Sequence, residues 1–179
     1  MSTNLRVMPN NCIIRPAKVE DAEVIMTYAE HLFRSTDQVL TTPEEYTITL
    51  EQEEAWIRGF EGNANSLLLV AETQGRVVAL LDFSAKIRWK ARHSGELGLS
   101  VHPEYQRQGL GRAMMEVLIA WARSAPGVEK LILQVFETNH KAILLYQSLG
   151  FKEEGRFVKG IKQSNGAYVD LIQMYLWVK

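Results

Sequence analysis

The sequence predicts a mixed α/β domain in which helices flank a central, mostly antiparallel sheet. Short β-rich runs alternate along the chain with segments whose apolar residues recur at helical spacing. Two pairs of β-rich runs are separated by hairpin signals, Gln74-Gly75 and Ser164-Asn165-Gly166. With 179 residues, 46% of them hydrophobic, the chain is long enough for one substantial core. We therefore expect one domain over residues 10–179, after a short polar tail at 1–9.

The first third of the chain is predicted to form a strand and two helices. Residues 12–15 read as a strand that Pro16 closes, and an apolar face running from Ala22 to Phe33 predicts a helix. Thr49 and Gln52 have the spacing of a capping box, which indicates the start of a second helix. We expect Gly62 to end that helix.

The strands that follow are predicted from their composition and their turns. Residues 67–72 and 76–85 form a hairpin, and 96–101 is a further strand whose interior Gly98 marks either close packing or a bulge. Residues 131–136 are almost continuously apolar, which is typical of a buried central strand. A helix over 139–150 and two closing strands, 151–158 and 167–178, complete the order.

The stretch from Gln106 to Arg112 connects strand 96–101 to a helix and has the features of a phosphate-binding turn. Gly109 and Gly111 permit positive φ and close approach of a ligand. The helix that follows has one apolar stripe, made of Leu110, Ala113, Met114, Val117, Leu118 and Trp121. Unpaired N–H groups at a helix N-terminus attract anions, and Arg107 and Arg112 add positive charge. The expected ligand group is a pyrophosphate.

Two common phosphate-binding motifs do not fit this turn. The dinucleotide fingerprint needs a small residue at position 114, where this chain has Met114. The nucleoside-triphosphate loop needs Lys and Ser or Thr after its last glycine, but Arg112 and Ala113 follow Gly111. The spacing Gln106-x-x-Gly109-x-Gly111 instead resembles the Gln/Arg-x-x-Gly-x-Gly/Ala signature of the GNAT superfamily of N-acetyltransferases.

The resemblance extends over nearly the whole chain, because the predicted element order is that of the GNAT fold. Strand 96–101, the turn, residues 139–151 and Tyr168-Val169-Asp170 are similar to the branch that contains ribosomal-protein N-terminal acetyltransferases and polyamine acetyltransferases. The resemblance implies a sheet that is splayed between strands 96–101 and 131–136, with a bulge in the first of them. It also implies acetyl-CoA as co-substrate, no metal, and direct attack by a primary amine in a ternary complex.

The same resemblance implies a set of acetyl-CoA-binding residues. The expected contacts are Leu99, Ser100, Val101 and Asn139 with the pantetheine arm, Gln106, Arg107, Gln108, Gly109, Leu110, Gly111 and Arg112 with the pyrophosphate, and Tyr146 with the departing sulfur. Asn139 is also a candidate N-cap of its helix. The family commonly has Arg-Gly where this chain has Gln106-Arg107. We therefore expect residue 107 to avoid positive φ.

Two residues are candidates for catalysis on the strength of this resemblance. Tyr146 lies seven residues, or about two turns, after Asn139 and would donate a proton to the departing sulfur. Its alternative role is that of a packed aromatic residue. Glu96 would be the general base, acting through water, or else a solvated carboxylate at a strand end.

Composition and charge restrict the remaining function classes. A net charge of −1 argues against nucleic acid as a partner. Cys12 is the only cysteine, so no internal disulfide is possible, and no Cys/His cluster has zinc spacing. We expect no signal peptide and no membrane span, and therefore a cytoplasmic protein.

The sequence leaves the acceptor open among a protein N-terminus, a polyamine, an amino acid and another small amine. Residues 37–61 carry a net charge of −6, which would suit a cationic amine or belong to a solvated surface. A homodimer is a further possibility that the family suggests. The alternatives to an acetyltransferase are a non-catalytic acyl-CoA-binding module and an acyltransferase for longer acyl-CoAs.

Overall fold

A single eight-stranded sheet runs through residues 6–8 and 11–179, the part of the chain that the computed structural model describes. Its strands, in chain order, are β1 Arg6–Val7, β2 Ile13–Pro16, β3 Ser66–Thr73, β4 Arg76–Ala85, β5 Ser94–Val101, β6 Lys130–Phe136, β7 Lys152–Lys162 and β8 Tyr168–Trp177. The spatial order is β1-β2-β3-β4-β5-β6-β8-β7, and the β5–β6 pair is parallel whereas the others are antiparallel.

The helices follow the predicted order. They are α1 Ala22–Ser35, α2 Leu50–Arg58, α3 Leu110–Ser124 and α4 His140–Ser148. The predicted capping box of α2 is present, with the backbone N–H of Thr49 donating to Gln52 Oε1 at 2.8 Å. The helix ends at Arg58 rather than at Gly62, because the chain already passes into turns after Gly59.

The predicted N-terminal tail differs from the structure in one place. Arg6 and Val7 were assigned to the tail, but they form β1 and pair with Ile14 and Ile13 of β2. The other tail positions, 1–5 and 9, lie outside the described residues, as does residue 10, at which the predicted domain begins. No helix in the described part of the chain is long and apolar enough to cross a membrane.

Alternating side chains of the sheet pack into two separate cores. Helices α1 and α2 cover one face, where Tyr28 and Ile57 pack with Leu68 and Val70. Helices α3 and α4 cover the other, whose core includes Leu81, Phe83, Leu97, Met114, Leu118 and Tyr146. Because successive residues of a strand point to opposite faces, Leu99 and Val101 share the α3/α4 face with Leu97.

The central strands separate where the resemblance predicted a splay. Strands β5 and β6 are paired from Ser94↔Lys130 to Glu96↔Ile132 and no further, although β5 continues to Val101 and β6 to Phe136. Over the rest of their length β5 stays with β4 and β6 stays with β8. The splay prediction is confirmed, and the resulting gap lies near the middle of the sheet.

The expected bulge in β5 is not found. The β4–β5 register runs without a shift from Ala85↔Gly95 to Ala79↔Val101. Gly98 is explained by packing instead, because a Cβ atom built on it would lie 2.6 Å from Oδ1 of Asp82. The strands therefore separate without a bulge in the β4–β5 register.

Candidate active site

The loop before α3 is held in place by its own glutamine side chains. Gln106 Nε2 donates to the carbonyl oxygen of Val101 at 3.1 Å, and Gln108 Nε2 donates to that of Glu104 at 2.9 Å. Gly109 is the N-cap residue of α3, with φ 81°, and no side chain within the described residues caps the helix there. The first N–H groups of a 15-residue helix are thus left to a ligand or water.

The expectation for Arg107 is wrong. Its φ is 61°, in the left-handed region that the replacement of glycine was expected to avoid. Arg107 lies between Gln106 and Gln108, whose side chains are hydrogen-bonded to Val101 and Glu104. A non-glycine residue in this conformation costs roughly 1–2 kcal/mol, and such strain is typical of ligand-binding turns.

A cavity of about 450 Å³ opens in front of this loop. Predicted acetyl-CoA-binding residues that line it are Leu99, Val101, Gln106, Arg107, Gly109, Leu110, Gly111, Arg112, Asn139 and Tyr146. Lys141, Ala142 and Leu145 of α4 also line it and were missed. Ala142 and Leu145 follow Asn139 at helical spacing, so the pattern that linked Asn139 to Tyr146 could have identified them.

We call this space the cradle cavity, and its residues fit a ligand with a pyrophosphate and an extended arm. The uncapped start of α3, with Arg107 and Arg112, provides the positive charge that would bind the pyrophosphate. Leu99, Val101 and Leu145 provide an apolar wall, and all three lie within 3.8 Å of the position where a Cβ on Gly111 would stand. A small residue at 111 therefore keeps the floor of the cavity open.

Helix α4 brings Asn139 and Tyr146 to the gap between β5 and β6. Asn139 is the N-cap of α4, where its Oδ1 accepts from the Ala142 N–H at 3.3 Å. Tyr146 is only 6% exposed, and its ring lies 5.9 Å from that of Phe151. Burial raises the pKa of Tyr146 to about 12, so the phenol stays protonated at neutral pH and can donate a hydrogen bond.

A second cavity, of about 410 Å³, lies on the α1/α2 side of the sheet. Its walls come from α1, the segment after it, β4, β5, β6 and α4. Leu99, Asn139, Ala142 and Tyr146 line this cavity as well as the cradle cavity. The two spaces therefore meet at the splay, with Tyr146 at their junction, and we call the second space the acceptor cavity.

Two carboxylates line the acceptor cavity, and one of them was missed. Glu96 was predicted, and it lies at the outer end, with a side chain that is 62% exposed and 3.5 Å from Lys86. Asp82 of β4 lies opposite Gly98, and burial raises its pKa to about 6. A single acidic residue within the apolar run of β4 was the available signal, since unpaired acids are rarely buried without a reason.

Two sequence-based assignments are placed differently by the structure, and for the acidic segment the structure favours the solvated-surface alternative. Ser100 lines the acceptor cavity rather than the cradle cavity, and its Oγ accepts from the Tyr28 hydroxyl at 2.9 Å. Gln108 is absent from the cradle lining, because its side chain turns back to Glu104. The acidic segment 37–61 contributes Gln38, Val39 and Leu40 to the acceptor cavity but none of its carboxylates.

Comparison with known proteins identifies what this arrangement is similar to. A family model described as the Acetyltransferase (GNAT) family matches residues 28–151. The spermidine N(1)-acetyltransferase of Vibrio cholerae serotype O1 is 29% identical over 133 residues, covering 74% of this chain and 75% of that protein. The L-amino acid N-acetyltransferase AaaT of Escherichia coli K12 is 28% identical over 158 residues, 86% and 97% of the two chains.

A solved structure links the fold to a bound cofactor. The yncA acetyltransferase of Salmonella typhimurium, described as a putative acetyltransferase with its cofactor acetyl-CoA, has a TM-score of 0.81 and 25% identity. The match covers 98% of this chain and 95% of that one. The predicted fold and co-substrate are therefore confirmed, and no group of three His, Cys, Asp or Glu that could hold a metal lies within residues 6–8 and 11–179.

Proposed function

The chain belongs to the acetyltransferase (GNAT) family, and from that premise we propose that it transfers an acetyl group from acetyl-CoA to a primary amine by direct attack. The observation that carries the proposal is the meeting of two cavities at Tyr146. One has the chemistry of a coenzyme A site, and the other opens to solvent on the opposite face of the sheet. Donor and acceptor can then be bound together, as a ternary complex requires.

The donor is proposed to lie with its pyrophosphate at the start of α3 and its pantetheine arm along Leu99 and Val101. This direction carries the thioester toward the gap between β5 and β6, where Asn139 and Tyr146 line both cavities. The amine nitrogen attacks the thioester carbonyl carbon, the C–S bond breaks, and the sulfur leaves with the electron pair. The nitrogen that attacks is neutral, and the proton it loses on forming the amide neutralises the thiolate, so the products are the amide and free coenzyme A. A further proton is released when the amine starts as its ammonium form.

Tyr146 is proposed to assist the departing sulfur. With its pKa at about 12, complete proton transfer to a thiolate whose acid has a pKa of ~8.5 would be uphill by about 5 kcal/mol. A hydrogen bond to the developing thiolate needs no complete transfer and still stabilises the transition state. The phenol is therefore a donor to the leaving group rather than a strong acid.

The amine must also lose a proton, and the demand depends on the acceptor. Neutralising a lysine-like amine of pKa ~10.4 at pH 7 costs about 4.6 kcal/mol, whereas an α-amine near ~7.8 costs about 1 kcal/mol. A carboxylate in the acceptor cavity that accepts this proton would therefore accelerate acetylation of a lysine-like amine more than acetylation of an α-amine. Glu96 stays a prediction for this role.

The charge of the acceptor cavity leads to a prediction about substrates. Its lining contains Asp82 and Glu96, but no Lys, Arg or His among the described residues. The carboxylate of a free amino acid would therefore lose water there without gaining a cationic partner. We expect polyamines and peptide N-termini to be acetylated at least about tenfold more efficiently than free amino acids, measured as kcat/KM.

Release of free coenzyme A thiol from acetyl-CoA tests both the function and this preference. The panel of amines tested should include each amino acid together with its amide and with a peptide that begins with it. The comparison of amino acid and amide then isolates the effect of the carboxylate. Turnover above the no-amine background supports the transferase. Binding of acetyl-CoA without turnover of any amine would favour a non-catalytic module, and faster turnover of longer acyl-CoAs would favour the other alternative.

A homodimer and a cytoplasmic location stay predictions of the family resemblance and the sequence. Light scattering on the purified chain measures the assembly state directly.

A further inference from the structure

The acceptor cavity contains a second carboxylate, Asp82 of β4, which is less exposed than Glu96. We propose that Asp82 of β4, rather than Glu96, accepts the proton that the attacking amine loses. This inference rests on the proposed function, because it assigns one step of the same reaction. Of the two carboxylates in the acceptor cavity, only Glu96 was a candidate from the sequence.

The position of Asp82 follows from the β4–β5 register. Asp82 is paired with Gly98, and its Oδ1 lies 2.6 Å from the point where a Cβ on Gly98 would stand. The carboxylate therefore extends across β5 at a residue without a side chain. The next residue of β5, Leu99, lines both the cradle and acceptor cavities, so Asp82 lies on the acceptor side of the sheet one residue along β5 from their shared wall.

Glu96 differs from Asp82 in its position along β5 and in its exposure. It lies two residues before Gly98, about 7 Å along the strand. It is also the last residue of β5 to pair with β6, so it stands at the point where the two strands begin to separate. Its side chain is mostly exposed and interacts with Lys86 at 3.5 Å. These features are those of a carboxylate at the entrance of the cavity.

The electrostatic surroundings of Asp82 suit a base. Within residues 6–8 and 11–179 no cation pairs with it, and its own backbone N–H is the group that favours the charged form. The other titratable residues that line the cavity are Tyr28 of α1, Glu96 of β5 and Tyr146 of α4. Burial dominates and raises the pKa of Asp82 to about 6, closer to neutral pH than an exposed carboxylate. A base with such a pKa is ionised at pH 7 and binds a proton more readily than an ordinary aspartate.

The test is the pH dependence of kcat with saturating acetyl-CoA and the best amine of the panel. The kcat profile reports groups in the bound complex, so protonation of the base should produce an acid limb at or below a pKa of about 6. In Asp82→Asn we expect this limb to disappear and kcat at pH 7 to fall about tenfold. In Glu96→Gln the limb should remain.

A second variant separates the position of the carboxylate from its presence. Gly98→Ala keeps Asp82 but forces its carboxylate away from β5, since the new Cβ would be 2.6 Å from Oδ1. We expect a lower kcat with the acid limb still present but shifted. An acid limb that persists in Asp82→Asn, or that disappears in Glu96→Gln alone, would overturn the proposal. A parent enzyme that turns over no amine would instead contradict the proposed function.

Discussion

Replacing Tyr146 with phenylalanine is expected to lower kcat by more than about tenfold while acetyl-CoA affinity changes little. The hydroxyl is the only group removed, and the ring keeps its packing against Phe151 in the α3/α4 core. Tyr146 lines the junction of the two cavities, where the C–S bond is proposed to break. A donor that acts on the developing thiolate stabilises the transition state and not the ground state. The substitution should therefore lower kcat and leave the affinity for acetyl-CoA unchanged.

The measurement is steady-state kinetics together with calorimetric binding of acetyl-CoA. Tyr175→Phe is the matched control, because Tyr175 lies on β8 and lines neither cavity. Its kinetics should equal those of the parent. If Tyr146→Phe retained the parent kcat, the tyrosine would be a packing residue and the leaving group would need another donor.

Replacing Gly111 with aspartate is expected to weaken acetyl-CoA binding by about a hundredfold. The new carboxylate would enter the cradle cavity from the first turn of α3, beside the apolar wall of Leu99, Val101 and Leu145, where it would obstruct the arm and repel the pyrophosphate. The fold should be retained, because the added Cβ would be 3.4 Å from Leu145 Cδ2, an ordinary contact, and an acid in the first turn stabilises a helix.

Gly155→Asp controls for the change in net charge. Gly155 lies on β7, and a Cβ there would meet nothing within 4 Å. Calorimetry should give the parent dissociation constant for this variant. Unchanged acetyl-CoA affinity in Gly111→Asp would show that the pyrophosphate does not bind at the start of α3.

The order of the elements and the position of the cradle could be predicted because their signals are local. The capping box of Thr49 and Gln52 and the left-handed Gly150 after α4 each depend on a few adjacent residues. The same holds for the turn at Gly109 and the apolar stripe of α3. For these features, the interactions among residues adjacent in the sequence are the ones found in the structure.

The residues that were misplaced or missed depend on contacts between distant segments. Ser100 faces the acceptor cavity because side chains alternate along β5 and because its hydroxyl is hydrogen-bonded to Tyr28, 72 positions away. Asp82 reaches the site because the β4–β5 register sets it against Gly98. Spacing within a single sequence does not encode these registers. Arg107 is different, because its positive φ belongs to a loop whose hydrogen bonds to Val101 and Glu104 span only four or five positions.

The central claim is that the thioester of acetyl-CoA lies at the splay between β5 and β6, next to Tyr146. A crystal structure of the complex with a non-hydrolysable acetyl-CoA analogue measures this directly. We predict that the pyrophosphate occupies the start of α3 and that the atom replacing the thioester sulfur lies within about 3.5 Å of the Tyr146 hydroxyl, in hydrogen-bonding range. An acyl group bound away from the splay, or a Tyr146 hydroxyl separated from it by other side chains, would contradict the account.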